Sequence, residues 1–164
     1  MSKTALIAAS LLAATATLAH AGNGVRSERN ITLEGAQRIA EGAIEDCVKK
    51  GFNVSVAVVD RSGVLRTLLR SDNAGPHTPA ASQAKAFTSA SARNNTTAIL
   101  ATVQSNPAAA TLVDIPGFLV LGGGVPIRSG NEVIGAIGVA GAPGGALDEQ
   151  CALAGIDKAK GDLE

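Results

Sequence analysis

The chain has 164 residues, in which 14 Lys plus Arg balance 14 Asp plus Glu. This length carries one domain with a real core but not two well-buried ones. Zero net charge leaves no cationic excess for phosphates, and three Phe without Tyr or Trp give bases little to stack on, which excludes a nucleic-acid binder; a hydrophobic content of 46% excludes disorder as the main state.

Residues 1–21 read as an export leader. Lys3 provides the positive start, Ala5 to Leu18 is apolar and Ala-rich, and Ala19-His20-Ala21 has the small-x-small form that signal peptidases cut after. Cleavage after Ala21 and a periplasmic or secreted location are expected. The stretch falls short of the roughly 20 residues that span a bilayer, and no other segment of the mature chain is apolar enough to do so. Removing 21 of the 164 residues leaves 143, of which 27 are charged, a single domain over 22–164. Such sparse charge on a small domain predicts surface buried against copies of itself, a homo-oligomer. The cut also removes His20, so His77 becomes the single histidine and a site needing two His ligands within one subunit is excluded.

Leu33, Ala36, Ile39, Ala40, Ala43, Ile44, Cys47 and Val48 recur at helical spacing, with Thr32 as N-cap, Glu34 in the first turn and Gly51 as the stop. Val54–Val59 and Val64–Leu69 read as a hairpin turning at Asp60-Arg61-Ser62-Gly63. After a loop over 70–76, Thr78 as N-cap and Pro79 at the first helical position predict a helix through Arg93, and Thr97 caps a short one through Val103. Three further strands are expected at Gly117–Leu121, Val125–Arg128 and Glu132–Val139, then a helix over Leu147–Ala159. This order gives an α+β domain with a mainly antiparallel sheet of about five strands.

Cys47 and Cys151 fall on the apolar faces of the first and last helices. Two helices covering one sheet would bring them together as a disulfide; the alternative is a pair of buried, inert thiols. Gly122-Gly123-Gly124-Val125-Pro126 lacks the Lys-Ser/Thr of a phosphate loop and leads into a strand. Gly135 to Gly141, spaced G-x-x-G-x-x-G, lies on a strand and reads as a place where another backbone or a flat ligand approaches closely.

The candidate for chemistry is His77, which stands just before a helix N-terminus whose free N–H groups attract anions. Ala81 and Lys85 follow it at spacings of four, so one rim would carry an iron or acid/base ligand together with a cation. The plain alternative is a surface histidine on a loop. A Ser-His-Asp triad with Asp60, Asp72 or Asp114 is disfavoured, since no G-x-S-x-G elbow occurs.

Six segments in order carry a family resemblance from about Leu33 to Ile156. They are Val56-Ala57-Val58-Val59-Asp60 with Gly63; Leu69-Arg70 followed by Asp72-Asn73-Ala74-Gly75-Pro76-His77-Thr78; Ala84-Lys85-Ala86-Phe87-Thr88; Gly122-Gly123-Gly124-Val125-Pro126-Ile127; Val133-Ile134-Gly135-Ala136-Ile137-Gly138-Val139; and Asp148-Glu149-Gln150-Cys151-Ala152. In this order they resemble the GlcG/HbpS-like family of small haem-binding or haem-degrading proteins. The resemblance implies a profilin-like α-β-α layered domain that assembles into oligomers. It also implies haem as cofactor or cargo, for sequestering, transfer or slow degradation. His77 or Thr78 would then face the iron, Lys85, Arg70 or Arg66 would meet the propionates, and the strand carrying Gly135 and Gly138 would pass the macrocycle. With only Phe52, Phe87 and Phe118 as aromatics, the pocket is built from aliphatic side chains, which predicts modest or transient binding. Two alternatives stand beside this reading. One is an accessory or receptor protein that takes a small organic anion at the Thr78 helix N-terminus without haem. The other is a small-metabolite enzyme with His77 as general base and Lys85 nearby.

Overall fold

The first helix begins where capping chemistry puts it. Thr32 Oγ1 accepts from Gly35 N at 3.1 Å, and α1 (Leu33–Lys49) runs until Gly51 turns the chain with φ +83°. A computed structural model describes residues 24–163, so the expected leader over 1–21 lies outside the described residues. Strands β1 (Ser55–Asp60) and β2 (Leu65–Arg70) form the expected hairpin. Its turn is closed by the Asp60 carboxylate, which accepts from Ser62 N and Val64 N, while Gly63 takes a positive φ. Then come α2 (Thr78–Ala92), α3 (Thr96–Ser105), a 3-10 segment (Pro107–Asp114), β3 (Gly124–Ser129), β4 (Glu132–Ala140) and α4 (Gly145–Lys158).

The sheet is antiparallel with order β2-β1-β4-β3 and four strands rather than five. Gly117–Leu121 is not a strand. Gly117 adopts φ +84°, and the Leu119 amide donates to the Thr88 hydroxyl of α2 instead of to a ladder, while Phe118 meets Phe87 edge-on. A segment whose amide is held by a helix side chain is not free to pair with a strand.

The two faces of the sheet are built from different residue sizes. Val56, Val58, Val125, Ile137 and Val139 point one way and form the main core with Ile39, Ala40, Ala43 and Cys47 of α1 and Cys151 and Ala152 of α4. On this side Cys47 and Cys151 are joined as a disulfide, with Cα atoms 5.5 Å apart. The opposite face carries Ala57, Gly138 and Gly124 side by side across three strands. This row is a trough, and the backbone of α2 lies in it: a Cβ on Gly138 would stand 2.0 Å from Ser82 O, and one on Gly124 would stand 2.4 Å from Lys85 O. The result is an α-β-α sandwich with α1 and α4 on one side and α2 pressed close on the other. No helix among the described residues is long and apolar enough to cross a membrane.

Candidate functional site

A cleft of about 300 Å³ opens between the start of α2 and the turn from β4 into α4, lined by His77, Thr78, Ala81, Lys85, Leu121 and the segment Ala140–Gly145 with Asp148. Three of the residues singled out from sequence, His77, Thr78 and Lys85, therefore meet at one place. Their roles there differ from one another.

His77 occupies the N-cap position of α2 in helical conformation and makes no side-chain cap bond. It is exposed at the mouth, and its ring leans over Gly75, where a Cβ would come within 2.8 Å of the imidazole Cε1. Thr78 is not the cap that was expected. It is the first helical residue, 1% exposed, and its hydroxyl donates to Gly75 O at 2.7 Å and lies 2.7 Å from the Ser55 hydroxyl of β1. The Thr78 amide also donates to Gly75 O, and Pro79 has no N–H. Two of the donors that a helix N-terminus offers an anion are thus used or missing, and the Thr78 hydroxyl faces the sheet rather than an iron in the cleft.

Lys85 forms the floor. Its side chain is 2% exposed and its ammonium donates to Asp148 Oδ2 at 2.8 Å and to Val139 O at 2.9 Å. The other Asp148 oxygen accepts from Ala142 N at 3.0 Å. This ion pair ties α2 to the end of β4, to the turn that follows and to α4. Burial raises the Asp148 carboxyl above its ordinary pKa, against the opposite pull of Lys85 and the Ala142 amide. Lys85 is accordingly a bound cation, not a free one for a propionate. Asp148 was missed as a site residue in the sequence, where it stood only inside a family segment; its position in the first turn of a helix that follows Gly144-Gly145 was the available signal.

Arg70 does not line the cleft. It ends β2, is exposed, and its guanidinium donates to Ala74 O in the loop that leads to Gly75 and His77. Arg66 is not brought to the cleft: it sits four residues earlier on β2, about 13 Å along the strand, where it pairs with Asp60 at 3.7 Å. Gly135 and Gly138 do not form a bed for a macrocycle. Three residues apart on a strand, they face opposite sides of the sheet. Gly138 is covered by the α2 backbone, and Gly135 lies under Ile31, which would be 3.0 Å from a Cβ there. The close approach those glycines allow is that of other parts of this chain.

The family model described as haem degrading protein HbpS-like matches residues 31–157. Protein GlcG of Escherichia coli K12 is 37% identical over 104 residues, 63% of this chain and 76% of that protein. A crystal structure of a double mutant of Streptomyces reticuli HbpS is 41% identical with a TM-score of 0.78, covering 92% of this chain and 97% of the other. The crystal structure of Klebsiella pneumoniae protein ORFY is 28% identical with a TM-score of 0.80, covering 84% and 96%.

Proposed function

Since the chain belongs to the HbpS-like family of haem-degrading proteins, we propose that it binds haem at the cleft beside α2, with His77 as the iron ligand. The observation that carries this is the position of His77: an exposed imidazole, free of side-chain bonds, at the rim of a cleft walled by Ala81, Leu121, Ala142 and Pro143. These groups fit a haem in kind, a nitrogen donor beside small apolar walls. They fit it only in part by size, because 300 Å³ stands at the lower end of pockets that enclose drug-sized ligands, about 300–1,000 Å³. A macrocycle would be enclosed only in part by these walls, which would suit transfer better than storage. His77 would hold the iron, and haem bound there would supply reversible ligation and electron chemistry. With Lys85 already paired, the exposed Arg70, bonded to Ala74 O before the His77 loop, is the cation that would meet a propionate on this reading.

The alternatives lose specific groups. An organic anion at the α2 N-terminus would lack the Thr78 hydroxyl and amide, both engaged by Gly75 O. An enzyme using Lys85 as a free amine would have to break the pair with Asp148. The disulfide suits an oxidising compartment, and together with the leader expected at 1–21 it supports export to the periplasm or beyond. The test is a haem titration of residues 22–164 followed in the Soret region, with His77→Ala beside the unaltered protein. Saturable binding whose spectrum changes in the variant is expected. Saturable binding with an identical spectrum in both would remove His77 from the iron, and no saturable binding would remove haem.

A further inference from the structure

The segment between β2 and α2 is fastened more firmly than a surface loop needs. It folds as two consecutive turns, in which Ala74 N donates to Ser71 O and Thr78 N donates to Gly75 O, each at 3.0 Å. Both turns are pinned to neighbouring residues at the start of β1. Ser71 Oγ accepts from Val54 N at 2.8 Å and donates to Val54 O at 3.0 Å. The Thr78 hydroxyl donates to Gly75 O at 2.7 Å and lies 2.7 Å from Ser55 Oγ. A threonine hydroxyl has a single hydrogen, so Ser55 is the donor in that last bond, and the hydroxyls run one way from Ser55 through Thr78 to Gly75 O. Ser55 is fully buried and Thr78 is 1% exposed, so losing one of these bonds leaves a buried polar group unpaired.

His77 is the third residue of the second turn. Pro76 stands before it, where the fixed φ of proline suits a type I turn. His77 itself has φ −80° and ψ −19°, near the values of about −90° and 0° for the third residue of that turn. The ring is confined as well as the backbone. Its Nδ1–Cε1 edge lies against Gly75, where a Cβ would stand 3.0 Å from Nδ1 and 2.8 Å from Cε1. Gly75 has no positive φ, so it is the ring and not the backbone that requires glycine there. We propose that Ser55, Thr78 and Gly75 are positioning residues that set the direction of the His77 imidazole before a ligand arrives, leaving Nε2 as the donor nitrogen at the mouth of the cleft. A donor ordered in advance costs a ligand less to engage. The consequence for haem rests on the reading above; the direction of the ring does not.

Residues 22–164 contain one histidine, so its ring protons can be read directly by NMR in the ligand-free protein. A strong NOE from the His77 Cε1 proton to a Gly75 Hα is expected. Thr78→Val should weaken it and Thr78→Ser should restore it, with circular dichroism confirming the fold of each. Gly75→Ala, at a half-buried position, puts a methyl where the ring lies and should move the ring-proton shifts; it tests the ring even if Thr78→Val unfolds. In the haem titration Thr78→Val and Gly75→Ala should each bind about two- to tenfold more weakly, the cost of ordering one side chain on binding, and Thr78→Ser should stay within about twofold of the unaltered protein. A missing NOE in the unaltered protein, an unmoved ring in folded Thr78→Val or in Gly75→Ala, or unchanged haem affinity in a variant whose ring has turned would each overturn the proposal. Absence of haem binding in every protein, the unaltered one included, would strike the haem reading and leave the ring measurements to decide this one.

Discussion

Asp148→Asn is the substitution through which the cleft is most directly interrogated. The asparagine retains an oxygen for the Ala142 amide but turns an NH2 group, which unlike a carboxyl in either protonation state cannot accept, toward the Lys85 ammonium, which stays buried at 2% side-chain exposure with only Val139 O for company. Breaking a buried pair by removing one partner costs about 3–5 kcal/mol, most of it for the stranded charge. With an unfolding entropy of about 2.1 cal/mol/K per residue over roughly 140 residues, near 0.3 kcal/mol/K, the melting temperature should fall by about 10–17 °C. Urea unfolding of the oxidised protein measures the loss, and Lys85→Met with the double variant closes a cycle whose coupling should exceed about 1 kcal/mol. A total loss below about 1 kcal/mol, the level of an exposed pair, would refute the reading of Lys85 and Asp148 as a desolvated clasp.

The same variant tests the direction of the Asp148 shift. An acid whose pKa rises on folding holds more protons folded than unfolded between the two values. Its contribution to stability is therefore full below the ordinary Asp value near 4, is lost as pH climbs through the raised folded value, and is constant above. Subtracting the stability of Asp148→Asn from that of the unaltered protein isolates this contribution, and the difference should shrink with rising pH across that window. A difference that grows would mean that attraction to Lys85 outweighs burial.

Reducing the Cys47–Cys151 bond, which closes a loop of 104 residues, should cost on the order of 4–5 kcal/mol in the chain-entropy account, read from urea midpoints with and without reductant. Gly138→Ala forces a Cβ onto Ser82 O at 2.0 Å, backbone against backbone, so the loss should lie at or above the upper end of the usual 1–3 kcal/mol for overpacking, whereas Gly24→Ala, with nothing within 4 Å, should change nothing in the same melt. Intact mass of the exported protein should begin at Gly22; retention of Met1 would overturn the leader.

What the sequence made legible was whatever depends on one element at a time. The α1 stripe, the Thr32 cap and the Asp60-Arg61-Ser62-Gly63 turn are local patterns, and the structure has all three. The disulfide needed one further step, that both cysteines lie on helix faces turned to one side of a sheet, and it too is present. The failures occurred where a second element decides. Gly117–Leu121 has strand composition but is held by Thr88 of α2. Thr78 has cap composition, yet Ser55 on β1 offers its hydroxyl a buried partner. Gly135 and Gly138 look alike in spacing, and only the strand's alternation, once its bounds are known, puts them on opposite faces.

The trough of Ala57, Gly138 and Gly124 also explains why the line His77, Ala81, Lys85 is not a uniform rim. The helix descends along the sheet, so over about 12 Å of rise the three positions pass from exposed to half-buried to buried. His77 is at the mouth, Ala81 forms a wall and Lys85 is the floor, fastened to Asp148. A ligand that touches the imidazole cannot draw on the Lys85 charge without undoing that clasp, so any anionic group it carries must find its cation at the surface. On the proposed haem reading that cation is Arg70, whose guanidinium reaches Ala74 O beside the His77 loop. An exposed pair of this kind contributes about 0.5–1 kcal/mol. If the proposed haem reading holds, Arg70→Ala should therefore weaken haem binding by about two- to fivefold, raised salt should weaken binding to the unaltered protein more than to the variant, and the Soret position should stay unchanged because His77 is untouched. A shifted Soret band in Arg70→Ala, or equal affinity at low salt, would place the propionates elsewhere.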